Sequence, residues 1–129
     1  MRNIVIVCWL TLAASGFVGP TVVGQDFMSK SEITASFADN TLQFPDRRSG
    51  DTITIYVRQD GSYRMNFRGR YRGGRWWVED GHTFCRQYNN ETRRRCARPV
   101  INGNTVSFYH AKEPRKIYEA TLMDGNQLP

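Results

Sequence analysis

Arginine is concentrated in the middle of this chain. Between residues 64 and 98 there are ten arginines and three acidic residues, so this segment alone carries a formal charge of +7. The ten are Arg64, Arg68, Arg70, Arg72, Arg75, Arg86, Arg93, Arg94, Arg95 and Arg98. The planar guanidinium fork suits phosphate, sulfate and carboxylate groups, and it stacks on aromatic rings. The segment is therefore a candidate binding surface for an acidic ligand.

Aromatic residues are interleaved with these arginines. They are Tyr63, Phe67, Tyr71, Trp76, Trp77, Phe84 and Tyr88. A basic face that also carries rings is suited to an anionic polymer such as a polysaccharide, a nucleic acid or the phosphorylated headgroups of lipids. The side chains that we predict to contact an anionic polysaccharide or other acidic polymer are Arg70, Arg72, Trp77, Arg86, Arg93 and Arg95. The alternative is that these arginines form a solvated outer face without a binding site, because charge by itself indicates solubility and association.

The adjacent tryptophans belong to different faces if their segment is a strand, because successive side chains alternate. Trp76 is in phase with Val78, so we predict that Trp76 lies in the core. Trp77 then lies on the surface, where an indole ring is a good contact residue.

Two histidines offer an alternative, enzymatic chemistry. His82 and His110 could act as the acid and base of a secreted phosphodiesterase or nuclease. Each lies on a different predicted strand, however, and neither has an adjoining carboxylate pattern. No serine or cysteine nucleophile has a partner base by motif, and two histidines without a free cysteine do not form a zinc motif. We therefore predict a protein that is not an enzyme and that binds no metal or cofactor.

The N-terminus has the layout of a secretory signal peptide. Arg2 precedes an apolar run at residues 4–12, and small residues follow. The run is too short to span a bilayer, and no later segment is apolar enough to enter one. Compact residues before Gln25 predict cleavage between Gly24 and Gln25. Residues 1–24 are then the signal peptide, residues 25–129 form a single domain, and the protein is periplasmic or secreted.

Cysteine usage agrees with export. Cleavage removes Cys8 and leaves Cys85 and Cys96, an even number in an oxidising compartment, where cysteines pair. The midpoint between the two falls in a predicted turn at Asn90 and Glu91. We therefore predict a disulfide that joins the two strands of a hairpin.

One short helix and a series of strands are expected to position these groups. Ser29 and Glu32 form a capping box, which predicts a helix with Ile33 and Phe37 on one face. Beyond it, apolar residues alternate with polar ones, as in Ile53, Ile55 and Val57, and this pattern predicts half-buried strands. Asp-Gly, Asn-Gly and Gly-Gly turns divide the chain into eight predicted strands, at 40–44, 52–58, 62–68, 75–79, 82–88, 94–101, 104–110 and 116–123.

No connection is long enough for a crossover helix, so the pairing must be antiparallel. Eight strands in succession either close or leave exposed edges. We predict an all-β, single-domain, up-and-down meander or small eight-stranded barrel with a short N-terminal helix; a two-sheet sandwich is the alternative. A barrel adds a third functional hypothesis, a small-molecule carrier with an interior pocket. Bulky inward side chains are expected to leave little room for such a ligand.

Several short motifs together suggest a family. They are Asn40-Thr41-Leu42, Asp60-Gly61, the run from Gly74 to Gly81, Phe84-Cys85, Cys96 and Asn102-Gly103. In this pattern the chain resembles a group of small exported proteobacterial domains of unknown function. The resemblance implies a secreted β-meander and no established activity. Tyr88, in place of a frequent tryptophan, and the high arginine content depart from the pattern.

Overall fold

Eight antiparallel strands close into a barrel in the computed structural model, which describes residues 26–129. The predicted signal peptide and its cleavage point lie outside these residues. The elements are α1 (Lys30–Phe37), β1 (Asn40–Pro45), β2 (Thr52–Val57), β3 (Ser62–Phe67), β4 (Arg70–Glu79), β5 (Thr83–Tyr88), β6 (Arg95–Asn102), β7 (Thr105–His110) and β8 (Lys116–Met123). Each strand pairs with the next, and β1 also pairs with β8. The predicted closed barrel is confirmed, and the sandwich is excluded.

Helix α1 closes one end of the barrel. The Glu32 N–H donates to Ser29 Oγ over 3.2 Å, and the Ser29 N–H donates to Glu32 Oε1 over 2.8 Å, so the predicted capping box is formed. Ile33 and Phe37 are completely buried. The Phe37 ring packs edge-on against Phe84 at 5.3 Å between centroids. Among residues 26–129, no helix combines the length and hydropathy that crossing a bilayer requires.

Replacing Ser29 with alanine should lower the free energy of unfolding by about 1 kcal/mol, because an N-terminal amide of α1 loses its acceptor. Urea unfolding followed by circular dichroism measures the change. Ser31→Ala, in the same exposed turn, removes a hydroxyl that caps no helix amide and should change the stability by much less. Equal losses in the two variants would contradict a capping role for Ser29.

The adjacent tryptophans occupy opposite faces of β4. Trp76 is buried in the barrel interior, and its indole N–H donates to the Arg58 carbonyl oxygen over 2.8 Å. Trp77 is half-buried on the outer wall, where its indole N–H donates to Glu79 Oε2 over 2.8 Å. The predicted orientation of the pair is confirmed.

Strand β4 begins five residues earlier than predicted. The preceding turn is formed by Arg68 and Gly69, with φ of 55° and 78°, so the predicted turn at Gly73-Gly74 is wrong. Gly74 instead serves a close approach within the sheet: a Cβ at this position would lie 2.6 Å from the Tyr63 ring and 2.2 Å from the Gln87 carbonyl oxygen. The longer strand brings Arg70 and Arg72 into the barrel wall.

The predicted disulfide is present. Cys85 and Cys96 are bonded and lie directly opposite each other in the β5–β6 ladder, which confirms the hairpin. This ladder has three paired positions, the last of them Arg86 opposite Arg95. The covalent bond therefore adjoins the point at which β5 and β6 separate.

Connections in an up-and-down barrel alternate between its two ends. Helix α1 and the β2–β3, β4–β5 and β6–β7 connections lie at one end, which we call the helix end. The β1–β2, β3–β4, β5–β6 and β7–β8 loops, at residues 46–51, 68–69, 89–94 and 111–115, lie at the other. We call this second end, with the arginines that line it, the arginine mouth.

Candidate anion-binding site

The two ends of the barrel carry opposite charge. The four loops of the arginine mouth, counted with the strand residue on either side, hold ten basic and four acidic side chains, a formal charge of +6. Counted in the same way and with the terminal segments 26–29 and 124–129 included, the helix end holds two basic and seven acidic side chains, a formal charge of −5. Charge of a single sign around an opening focuses the field there and draws in ligands of opposite charge.

The fold brings five of the six residues predicted to bind a ligand to the arginine mouth. Arg70 and Arg72 lie opposite Phe67 and Met65 in the β3–β4 ladder, and directly opposed residues share a face of the sheet. Since Met65 is buried in the core, both arginines are in the inward phase. The other three, Arg86, Arg93 and Arg95, line a common cavity. The sixth residue, Trp77, lies apart from them on the outer wall, where its ring carries the Arg75 guanidinium at 5.2 Å.

A cavity of about 1030 Å³ opens at the arginine mouth, between the β1–β2 and β5–β6 loops. This volume is at the upper end of the range of roughly 300–1,000 Å³ found for small-molecule sites. The apolar side chains on its wall are Phe44, Ile53, Phe67, Phe84, Ala97 and Ile117, and the Tyr118 ring joins them. The expectation that the interior leaves little room for a ligand is therefore wrong. The bulky residues fill the half next to α1, whereas arginines occupy inward positions in the other half.

Arg86 extends into this cavity. Its guanidinium carbon lies 5.9 Å from the ring centroids of Phe44, Tyr63 and Tyr88, which belong to three different strands. The side chain as a whole is half-buried, but its Nη1 atom is buried and has no hydrogen-bond partner among residues 26–129. Within residues 26–129, no carboxylate forms an ion pair with this side chain. Buried charges in proteins are ordinarily paired with an opposite charge. The three aromatic rings next to this guanidinium attract it but do not supply a counterion.

Neutral phenols surround the guanidinium. Burial raises the pKa of the Tyr63 and Tyr118 hydroxyls, although the positive charge of Arg86 opposes the rise. Burial by itself would lower the pKa of Arg86, but Tyr118, Tyr63 and Tyr88 more than offset this effect. At neutral pH the cavity therefore holds a fixed cation beside uncharged hydroxyls. In the part of the chain that the structure describes, the Tyr63 hydroxyl oxygen is, like Arg86 Nη1, buried without a hydrogen-bond partner.

Arg72 and Arg95 share one carboxylate at the rim. Arg72 Nη2 lies 3.1 Å from Glu91 Oε2, and Arg95 Nη1 lies 3.2 Å from Glu91 Oε1. Both guanidinium groups stack on the Tyr88 ring, at 3.8 and 4.5 Å from its centroid. Hydrogen bonds from Arg72 and Arg95 lower the pKa of Glu91, so its carboxylate is ionised at neutral pH. Glu91 was predicted only as part of a turn, and its spacing from Arg72 and Arg95 carries no local signal, because a four-residue spacing brings side chains together in a helix and not in a turn.

The two histidines lie at opposite ends of the barrel. His110 ends β7 at the arginine mouth, where its Nδ1 accepts hydrogen bonds from the Lys112 and Glu113 N–H groups, both at 3.1 Å. His82 lies in the β4–β5 connection at the helix end, with its Nδ1 3.1 Å from the Met28 carbonyl oxygen. The fold therefore does not bring them together as an acid–base pair.

Glu79 lies close to the disulfide. Its carboxylate and the sulfurs of Cys85 and Cys96 are within 4.8 Å of one another. Because the sulfurs are bonded to each other, neither is a thiolate ligand for a metal. The carboxylate instead accepts hydrogen bonds from Trp77 and Arg94, and this cluster reinforces the outer wall.

Comparison of the chain with protein-family models, curated proteins and solved structures finds no match. The resemblance to small exported proteobacterial domains therefore stays a prediction.

Proposed function

We propose that the protein is an exported, non-enzymatic binding protein that recognises an acidic ligand at the arginine mouth. The observation that carries this proposal is the convergence of Arg70, Arg72, Arg86, Arg93 and Arg95 on one end of the barrel. These arginines are spread over 26 positions of the sequence, from 70 to 95, yet they line two adjoining pockets at the same end of the barrel, which share Phe67 and Tyr88. If these arginines served only to keep the outer surface solvated, none of them would need to lie on the inward-facing side of its strand.

Export is part of the proposal. A disulfide persists in oxidising compartments such as the periplasm or the extracellular space, and Cys85 and Cys96 are directly bonded. The predicted signal peptide at residues 1–24 is the second support for export. In those compartments the available anions include acidic polysaccharides and phosphorylated lipid headgroups.

The exposed rim suits a polymer. Arg47, Arg48, Arg68, Arg70 and Arg93 are exposed around the opening. Arg70 and Arg93 form no ion pair with any carboxylate of residues 26–129, so their charges are free to meet a ligand. A chain of sulfates or carboxylates crossing the mouth would contact several of these guanidinium groups at once, each through a charge-assisted hydrogen bond.

Retention on immobilised heparin tests the proposal. The wild-type protein should be retained at low salt and released as salt rises, because each neutralised anion contact releases a counterion. The double variant Arg70→Ser/Arg93→Ser should elute at clearly lower salt. For this variant, a plot of log affinity against log salt concentration should have a slope that is shallower by roughly one unit for each lost contact.

The matched control is Arg64→Ser/Arg75→Ser. It removes the same charge from exposed positions on the outer wall, where the two guanidinium groups stack on Tyr71 and Trp77. Elution of the control near the wild-type position would assign retention to the arginine mouth. If both double variants elute together, retention reflects net charge alone, and a wild-type protein that is not retained at all contradicts the proposal directly.

A further inference from the structure

We infer that the cavity behind the arginine mouth takes a small amphipathic acid, whose acid group binds Arg86 and whose apolar body lies against Phe44, Ile53 and Phe67. The inference rests on the proposed function, because it too requires an acidic ligand. It goes further in naming the class of ligand, the depth at which the ligand binds and its orientation.

The acid group is assigned by two unsatisfied polar atoms. Among residues 26–129, neither Arg86 Nη1 nor the Tyr63 hydroxyl oxygen, both of them buried, has a partner at good hydrogen-bond geometry, although the two groups lie close enough to interact with each other. A carboxylate, sulfonate or phosphate oxygen accepts hydrogen bonds from a guanidinium and from a phenol, so one acid group can satisfy both. The charge of Arg86 is then paired, which is the usual state of a charge inside a protein.

Two arginines oppose each other across β5 and β6. Arg86 and Arg95 are direct cross-strand partners, and like charges in this position destabilise a sheet. Arg95 has Glu91 as a counterion at 3.2 Å, whereas Arg86 has none among residues 26–129. A bound anion would relieve the repulsion, so the binding free energy includes the removal of this unfavourable contact.

The apolar body is assigned by the wall between Arg86 and the opening. Phe44, Ile53 and Phe67 are each one of the two residues at the mouth end of their strand, and all three line the cavity. Arg86 lies two residues inside the mouth end of β5, and beyond it Phe84 and Trp76 pack toward α1. The acid group therefore enters first, and the apolar body follows toward the mouth.

A titration calorimetry experiment with dodecanoate and dodecanol, both below the concentration at which they aggregate, tests this inference. Dodecanoate should bind the wild-type protein, and dodecanol should bind at least tenfold more weakly because it cannot pair with Arg86. Along a series of shorter carboxylates, affinity should rise by roughly fourfold for each methylene until the cavity is full.

Variants locate the acid group. Arg86→Met should weaken dodecanoate binding by about ten- to hundredfold and leave dodecanol binding unchanged. Tyr63→Phe keeps the ring, removes the one hydroxyl oxygen and should weaken dodecanoate binding by a smaller factor, which gives a second readout in a minimally altered core. Arg64→Met, on the outer wall, is the control and should bind as the wild type does.

The outcomes separate this inference from the proposed function. Equal affinity for acid and alcohol, or no effect of Arg86→Met, overturns the assignment of Arg86. Absence of dodecanoate binding in a protein that is retained on heparin overturns the interior site and leaves the arginine mouth as a polymer-binding surface. Absence of both activities overturns both proposals.

Discussion

The variant Arg86→Met is expected to be more stable than the wild-type protein in the absence of ligand, by about 1–2 kcal/mol in the free energy of unfolding. A buried polar atom without a partner costs about 1–3 kcal/mol, and Arg86 Nη1 has none within residues 26–129. Attraction to the rings of Phe44, Tyr63 and Tyr88 at 5.9 Å recovers part of this cost. Methionine has a similar length, leaves no polar atom unsatisfied and adapts to irregular space.

Urea unfolding of the two proteins, followed by tryptophan fluorescence, measures the difference. Arg64→Met, at an exposed position, should stay within about 0.5 kcal/mol of the wild type. A gain in stability combined with a loss of acid binding would show that Arg86 serves ligand binding and lowers the free energy of unfolding of the barrel. If Arg86→Met instead loses more than about 1 kcal/mol, the guanidinium is a structural element of the barrel.

Breaking the disulfide should cost about 3 kcal/mol in the free energy of unfolding. The bond closes a loop across a sequence separation of 11, and restriction of the unfolded chain accounts for a stabilisation of this size. The β5–β6 ladder beside it has three paired positions, so little else holds this part of the barrel closed. Because Arg86 and Arg95 repel each other at the end of this ladder, strands β5 and β6 should separate first when the sulfurs are reduced.

Urea unfolding of the oxidised and the reduced wild-type protein compares the two states without a change of sequence. Cys85→Ala/Cys96→Ala should match the reduced protein, and adding reductant to this variant should change nothing. Hydrogen exchange should show the largest loss of protection in β5 and β6. Equal stability of the oxidised and reduced proteins would show that the hydrogen-bonded barrel alone sets the stability.

Much of the fold follows from local pattern. The alternation in Ile53, Ile55 and Val57, the Asp-Gly turns and the Ser29–Glu32 capping box each act over a few residues, and each was predicted correctly. The antiparallel order of successive strands followed from the short connections, whereas the choice between an open meander and a closed barrel was left open, because the β1–β8 pairing joins the two ends of the domain. The turn at Gly73-Gly74 was wrong because the glycine there accommodates the Tyr63 ring from the neighbouring strand, and that contact is not local.

The binding site could be predicted only in part. The concentration of arginine drew attention to residues that the fold brings to one end of the barrel, but their inward positions were missed because charged strand residues were assumed to face solvent. A signal was present: Arg86 is in phase with Phe84 and Tyr88, and both of these are buried. Trp77 was included because alternation with Trp76 places it on the surface, and that surface is the outer wall, away from the arginine mouth. The cavity volume depends on how all eight strands are staggered, and no short segment encodes that.

The opposite charges of the two barrel ends make the molecule a permanent electric dipole, with +6 at the arginine mouth and −5 at the helix end. Near a polyanionic surface, such a dipole experiences a torque that turns its positive pole toward that surface before contact. At physiological ionic strength the field is screened over roughly 8 Å, less than the length of the barrel, so the turning happens only in the last moments of an encounter. As a result, more encounters begin with the opening of the barrel facing the surface, and fewer begin with its side.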